Sequence, residues 1–167
     1  RMMELTALES RRSLDAPAPV ALRPLVDELV AGAQAAGAAR GLRIDVQPGD
    51  DAIVDGDAFL LRRAVANLLD NALDFSPQGG SVTLALAKGR RTIDITVRDH
   101  GPGIPEYAED KVFEKFYSLA RPHSRKKSTG LGLAFVKEIA DLHHGHVTLV
   151  NLPDGGAIAT LSLPRLS

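Results

Sequence analysis

Hydrophobic residues recur along most of the chain with the spacing of regular secondary structure. Apolar residues three and four positions apart predict three helices. The first covers residues 25–39, the second runs from a cap at Asp57 to about residue 75, and the third covers residues 130–144. Alternating apolar and polar residues predict five strands, over residues 42–46, 81–87, 92–99, 146–151 and 156–164. Because adjacent strands can form hairpins and helices interrupt them, we expect an α+β fold. It would be a two-layer sandwich of a mixed sheet of about five strands with helices on one face.

Two stretches, residues 13–24 and 101–130, lack such a pattern. Residues 2–12 are typical of the end of a helix, and the Pro/Ala-rich residues 13–24 predict a linker. Residues 101–130 show little regularity beyond a short helical pattern around 112–117. A loop of that length in a compact domain is usually functional or disordered.

Composition excludes several classes of function. The 167 residues carry a formal net charge of −1, so no overall basic field indicates nucleic acid as a partner. The absence of cysteine excludes disulfides and thiolate metal sites and fits a reducing compartment. No apolar run approaches the roughly 20 residues of a membrane span, and we find no signal peptide. Because the chain opens inside a helical pattern, we expect it to be part of a longer protein.

An aspartate ends the strand predicted over residues 92–99. Ile93, Ile95 and Val97 share one face of this strand, and Asp99 has the same parity, so it should point toward the apolar side. Burying an ionised carboxylate without a hydrogen-bond donor costs a free energy on the order of several kcal/mol. Either a ligand supplies the donor, or Asp99 caps the following turn through backbone amides.

Two asparagines lie at the edge of an apolar helix stripe. Asn67 and Asn71 are four residues apart, which stacks them on the helix that begins at Asp57. A carboxamide oxygen is a suitable ligand for Mg²⁺ that already carries phosphate oxygens. The alternative is a pair of asparagines that hydrogen-bond to neighbouring loops.

Glycines open the last predicted helix. Gly130 and Gly132 precede its apolar face, and glycine lets a ligand approach the backbone closely. Free N–H groups and the positive end of the helix dipole bind anions there. An ordinary glycine-containing helix start is the alternative.

The order of these features is more specific than any one of them. "NLLDNALDF" is followed by "DHGPGIP", "FEKFY", a long polar loop and "TGLGLAFVKEIADLHHG". This order resembles the N box, first glycine box, F box and second glycine box of the ATP-binding catalytic domains of bacterial sensor histidine kinases, which have the Bergerat-type fold. The resemblance covers residues 22–164, and "FYSLARP" with the last segment is similar to CreC-type sensor kinases.

The resemblance implies that the chain binds ATP and Mg²⁺. Asp99 would accept a hydrogen bond from the exocyclic amine of adenine, and residues 104–129 would form a lid over ATP. Asn71 would be the main Mg²⁺ ligand, and Asn67 beside it would contact metal or phosphate. These two with Lys115 would be the catalytic residues. The nucleotide-binding set would be Asn67, Asn71, Phe75, Asp99, Gly101, Gly103, Ile104, Tyr117, Arg121, Thr129, Gly130, Leu131, Gly132 and Leu133.

The resemblance also implies partners. In the family, a histidine on a separate dimerisation domain takes the γ-phosphate and passes it to the receiver domain of a response regulator. Residues 1–21 would be the end of a dimerisation helix plus a linker, and residues 22–167 the catalytic domain. None of the five histidines has the sequence context of the phosphoacceptor. The chain would belong to the cytoplasmic part of an inner-membrane sensor. The alternatives are a nucleotide-sensing or docking module without turnover, and an ATPase or protein-serine kinase of the same fold.

Three positions depart from the family pattern. Many histidine kinases have Lys at the position of Asp74 and Arg at that of Ser118, and both can contact phosphate; relatives often have a hydroxyl residue at Ala157. Lys115 or Arg121 would substitute for the missing cations. The letters "HHGH" at 143–146 resemble a metal-binding cluster, but a His-Gly turn is ordinary at this place in the family.

Overall fold

The computed structural model describes residues 14–104, 113 and 132–166. Within these ranges the chain forms seven strands and three helices. In chain order they are β1 (Ala18–Ala21), α1 (Leu22–Ala39), β2 (Arg43–Val46), β3 (Ile53–Gly56), α2 (Ala58–Phe75), β4 (Ser81–Lys88), β5 (Thr92–Asp99), α3 (Gly132–Leu142), β6 (His146–Asn151) and β7 (Ala157–Pro164).

The main sheet has five strands in the order β2-β4-β5-β7-β6. β2 runs parallel to β4, and the other neighbouring strands are antiparallel. In the β4–β5 pair, Val82 lies opposite Asp99, which brings the start of β4 to the end of β5 that carries the carboxylate. The predicted mixed five-stranded sheet is confirmed.

The core lies between one face of this sheet and the helices. Ile93, Ile95 and Val97 of β5 are buried, whereas the residues between them are partly exposed. α2 packs against β4 and β5, and α3 packs against β6 and β7. The buried stripe of α2 includes Leu61 and Leu68, as the apolar spacing predicts. The predicted α+β sandwich is therefore correct.

The N-terminal cap of α2 follows the local sequence. The Asp57 side chain accepts a hydrogen bond from the Leu60 backbone N–H at 3.0 Å. This bond satisfies one of the N–H groups that a helix start leaves without an intrahelical partner. The predicted cap is confirmed.

A second, two-stranded sheet differs from the prediction. Part of the segment predicted as a linker forms β1, which pairs antiparallel with the short strand β3. α1 begins at Leu22, three residues earlier than predicted, because distant residues cap it. The Leu22 N–H donates to the Ala52 carbonyl and the Arg23 N–H to Asp51 Oδ1, both at 2.9 Å. The division of the chain at residue 21 stays a prediction.

The last helix ends before its predicted end. α3 stops at Leu142, and His144 has a φ of 59°. The N–H groups of His144 and Gly145 donate to the carbonyls of Asp141 and Ala140, the pattern of a Schellman turn. The predicted helical segments over 2–12 and 112–117 lie outside the described residues, apart from residue 113.

Candidate functional site

Two backbone amides donate to one oxygen of the buried Asp99. The Gly101 nitrogen lies 2.9 Å from Oδ1 and the Ala157 nitrogen 3.3 Å. Burial raises the pKa of the Asp99 carboxyl above its ordinary value, although these amides and the charge of His100 act in the opposite direction. Within the described residues, the ionised carboxylate is therefore only partly compensated. A further donor from a ligand would stabilise it.

Asp99 lines a pocket with about 210 Å³ of empty space, part of it open to solvent. The walls are mostly apolar, and Asp99 is the only ionisable group among the lining residues that the structure describes. A carboxylate among apolar walls suits, by its chemistry, a weakly polar group that carries an N–H donor. The lining residues are Asn71, Phe75, Asp99, Gly103, Ile104, Leu149 and Ala157.

Close packing inside the protein requires glycine at two positions of the turn after β5. A Cβ at Gly101 would lie 2.3 Å from the Phe75 carbonyl oxygen. Gly103 has a φ of +80°, and a Cβ there would lie 2.4 Å from Asn151 Oδ1. These contacts explain both glycines without a ligand. Close approach of a nucleotide to them stays a prediction.

The two asparagines of α2 have separate surroundings. Asn71 lines the pocket, and Asn67 lies one turn earlier, where its Nδ2 donates to the Gly132 carbonyl at 3.3 Å. Gly132 is the first residue of α3, so Asn67 joins the two helices at the α3 N-terminus. One asparagine is therefore at the Asp99 pocket and the other at the N-terminus of α3. A helix N-terminus can bind an anion. A carboxamide oxygen at this place suits Mg²⁺ that carries phosphate oxygens.

The described atoms do not crowd the first residue of α3. A Cβ at Gly132 would meet no described atom within 4 Å. Leu133 is half-buried and packs against the core. Phe113 of the "FEKFY" segment also packs against the core.

Six predicted site residues lie outside the described residues, as does most of the predicted lid 104–129. They are Lys115, Tyr117, Arg121, Thr129, Gly130 and Leu131.

Asp74 forms an ion pair with the end of α1. Arg40 Nη1 lies 3.2 Å from Asp74 Oδ1, and Arg40 Nη2 donates to the Leu73 carbonyl at 3.0 Å. Arg40 thus supplies a positive charge at the C-terminus of α2, where the helix dipole favours one. The sequence did not indicate this pair, because its members are 34 residues apart.

The sequence patterns did not single out Asn151 or Leu149, and they indicated no structural role for His143. Leu149 lines the pocket from β6, and Asn151 contacts the backbone of Ile104. His143 is buried with 3% exposure and links α3 to the start of α2. Only the parity of Leu149 on its predicted strand was a usable signal. Among the described residues, no three His, Asp or Glu side chains are grouped to hold a metal ion.

Comparisons with known proteins bear on the family and the fold. Residues 56–167 match the family described as histidine kinase-, DNA gyrase B- and HSP90-like ATPases. The chain belongs to this family. It is 48% identical over 112 residues to the sensor protein CreC of Escherichia coli (strain K12), covering 67% of this chain and 23% of CreC. Family and fold are thus as the motifs predict.

Two further relatives cover almost the whole chain. The sensor-like histidine kinase SenX3 of Mycolicibacterium smegmatis is 35% identical over 165 residues, which are 98% of this chain and 43% of SenX3. The crystal structure of the ATP binding domain of PrrB from Mycobacterium tuberculosis is 33% identical with a TM-score of 0.73. That match covers 92% of this chain and all of the PrrB domain. The chain thus spans less than half the length of CreC and SenX3. No helix in the described residues is long and apolar enough to cross a membrane.

Proposed function

We propose that this chain is the ATP-binding catalytic domain of a two-component sensor histidine kinase. It binds ATP with adenine in the pocket of Asp99 and the phosphates at the start of α3. The observation that carries the proposal is Asp99 itself, a buried carboxylate with a raised pKa in a mostly apolar pocket. The exocyclic amine of adenine supplies a further donor beside the backbone amides of Gly101 and Ala157. The similarity to an ATP binding domain supports the same ligand.

The phosphate end of the nucleotide would lie along α2 and the N-terminus of α3. Asn71 would bind Mg²⁺ through its carboxamide oxygen, and Asn67 would contact metal or phosphate. Thr129, Gly130, Leu131, Gly132 and Leu133 would form the phosphate-binding start of α3, with Lys115 and Arg121 as cations. Mg²⁺ would neutralise charge on the phosphates, and the chain would hold them in position for transfer. Gly101, Gly103, Ile104 and Tyr117 would contact the nucleotide from its other side.

The γ-phosphate would pass to a histidine that this chain does not supply. Its bond to the β-phosphate oxygen would break as a bond to a ring nitrogen of that histidine forms, leaving ADP. The acceptor would lie on the dimerisation domain upstream, and a response regulator would then receive the phosphoryl group. Names of relatives such as "sensor protein" support this assignment. We also propose that the whole protein is an inner-membrane sensor with this domain in the cytoplasm.

Calorimetric titration with a non-hydrolysable ATP analogue tests the adenine assignment. The unmutated chain with Mg²⁺ should bind in the micromolar range, about −7 to −8 kcal/mol. Asp99→Asn should abolish binding, because an amide nitrogen replaces an acceptor of the adenine amine. Asp94→Asn is the matched control, since Asp94 lies on the same strand but on the opposite face. Absence of binding by the unmutated chain, or equal binding by Asp99→Asn, would overturn the assignment.

The same titration with and without Mg²⁺ tests the metal assignment. Asn71→Ala should remove the part of the affinity that depends on Mg²⁺ and leave metal-free binding largely intact. Equal Mg²⁺ dependence in Asn71→Ala and the unmutated chain would exclude Asn71 as a ligand.

A nucleotide-binding module without turnover is the second candidate. The Asp74–Arg40 pair favours it, because a carboxylate stands where many histidine kinases have a phosphate-contacting lysine. Incubation with labelled ATP and a separately supplied dimerisation domain distinguishes the two. Acid-labile label on that domain supports the kinase; binding without transfer supports the module. Label on serine would indicate a protein-serine kinase instead.

A further inference from the structure

One side chain satisfies both backbone groups of Ile104. Asn151 Oδ1 accepts from the Ile104 N–H at 2.7 Å, and Asn151 Nδ2 donates to the Ile104 carbonyl at 2.6 Å. Asn151 is the last residue of β6, and the two residues are 47 positions apart. The carboxamide thus pairs with the backbone of Ile104 as a neighbouring strand would.

The turn between β5 and Ile104 is shaped to allow this pairing. Gly103 has a positive φ, and any Cβ there would collide with Asn151 Oδ1. Ile104 is buried with 6% exposure and lines the Asp99 pocket. The conformation that brings the Ile104 side chain to the pocket is therefore the conformation that Asn151 holds.

Asn151 also lies beside the opposite wall of the pocket. In the β6–β7 pair it is opposite Ala157, whose N–H donates to Asp99 Oδ1 and which lines the pocket. Asn151 therefore connects two lining residues, Ile104 and Ala157, that flank the carboxylate. It does not itself line the pocket.

We propose that Asn151 is a positioning residue for the base of the nucleotide. It fixes Ile104 relative to Asp99 and so sets the shape of the wall that adenine contacts. This inference rests on the proposed ATP-binding function and adds a determinant of base selectivity. The phosphate end, at the α3 N-terminus, does not depend on it.

The test compares Asn151→Asp with the unmutated chain. Aspartate has nearly the same size and keeps an acceptor for the Ile104 N–H, but it loses the donor and places a negative charge beside the Ile104 carbonyl. Affinity for the non-hydrolysable ATP analogue should fall about tenfold, as expected for loss of one buried hydrogen bond. Affinity for the corresponding GTP analogue, whose base does not match the Asp99 pocket, should change little. The ratio of the two affinities should therefore fall.

Two controls separate positioning from general loss of structure. Val150→Ala, at the exposed neighbouring position, should keep both affinities. Asn67→Ala removes the hydrogen bond from α2 to the α3 N-terminus and should lower both affinities together. Thermal unfolding of each variant gives the fraction folded at the titration temperature.

Each outcome decides the matter. An unmutated chain that binds no nucleotide would overturn the proposed function. Normal binding with an unchanged affinity ratio in Asn151→Asp would overturn the positioning inference alone, as would an equal loss for both analogues. If Asn151→Asp does not fold, Asn151→Ser, whose hydroxyl can replace only one of the two bonds, decides by the same ratio.

Discussion

His143 Nε2 accepts a hydrogen bond from the backbone N–H of Asp57 at 3.0 Å. The other ring nitrogen, Nδ1, lies 2.7 Å from the Ile139 carbonyl. Because a carbonyl oxygen only accepts, Nδ1 carries the proton and Nε2 is the acceptor. The ring is therefore neutral in this arrangement. It joins the end of α3 to the residue that caps α2, and so holds together the two helices that carry the candidate phosphate site.

Replacing this ring should destabilise the domain. His143→Ala leaves the Asp57 N–H without an acceptor and opens a cavity, so the free energy of unfolding should fall by about 2–4 kcal/mol. Urea denaturation measures the change. His146→Ala is the control: the side chain is exposed, and its loss should cost less than about 0.5 kcal/mol. Equal midpoints for the two variants would contradict the structural role of His143.

The neighbouring residue offers a stabilising substitution. His144 occupies the left-handed region, with a φ of 59°, at the position of the Schellman turn that usually holds glycine. His144→Gly should raise the free energy of unfolding by about 0.5–1 kcal/mol, because the Cβ strain disappears. His144→Ala keeps that strain and should show no such gain. A gain of equal size in both variants would mean that the imidazole, not the backbone conformation, is unfavourable.

Gly101 should tolerate no side chain. The Cβ of Gly101→Ala would lie 2.3 Å from the Phe75 carbonyl oxygen, so the turn after β5 must move. We expect a loss of about 1–3 kcal/mol in unfolding free energy and a marked loss of ATP-analogue affinity. Gly32→Ala is matched to it. Gly32 is exposed in the middle of α1, and outside its own helix no described atom lies within 4 Å of a new Cβ, so this variant should gain about 0.5–1 kcal/mol. Unfolding curves and calorimetry would show whether only the first change affects the site.

Sequence alone was sufficient where a local pattern determines the structure. The parity of Asp99 with Ile93, Ile95 and Val97 follows from strand geometry, and the structure buries all four. The Asp57 cap and the stripe of α2 likewise depend on residues a few positions apart. The order of motifs then identified the family, although no single motif was specific.

Long-range contacts account for what the sequence did not reveal. α1 begins early because Ala52 and Asp51, about 30 residues away, accept its first N–H groups. The partners of Asn151 and His143 are 47 and 86 positions distant. Polar residues at strand and helix ends are common, and nothing local distinguishes these two. Only the register of the folded sheet shows that Asn151 reaches Ile104.

The raised pKa of Asp99 predicts that the ionised carboxylate destabilises the nucleotide-free domain, although nucleotide binding needs it. The folded domain binds the Asp99 proton more tightly than the unfolded chain, in which aspartate has its ordinary pKa of 3.8. The stability of the empty domain therefore contains a contribution from Asp99 that is fully present below the unfolded pKa and is lost as the pH rises through the folded pKa. At neutral pH the ionised carboxylate is a cost. Asp99→Asn, which resembles the protonated form, should then raise the denaturation midpoint of the nucleotide-free domain, and the difference should shrink in acid.

Saturating ATP analogue should reverse the order of the two proteins at neutral pH. Only the unmutated chain gains stability from the ligand, because the adenine amine donates to the ionised carboxylate. Nucleotide affinity should also weaken as the pH is lowered through the raised pKa. The informative measurement is the midpoint of both proteins, with and without analogue, at neutral and acidic pH. If Asp99→Asn is the less stable protein without nucleotide at neutral pH, the backbone amides of Gly101 and Ala157 already compensate the charge. Asp99 would then be a structural turn cap.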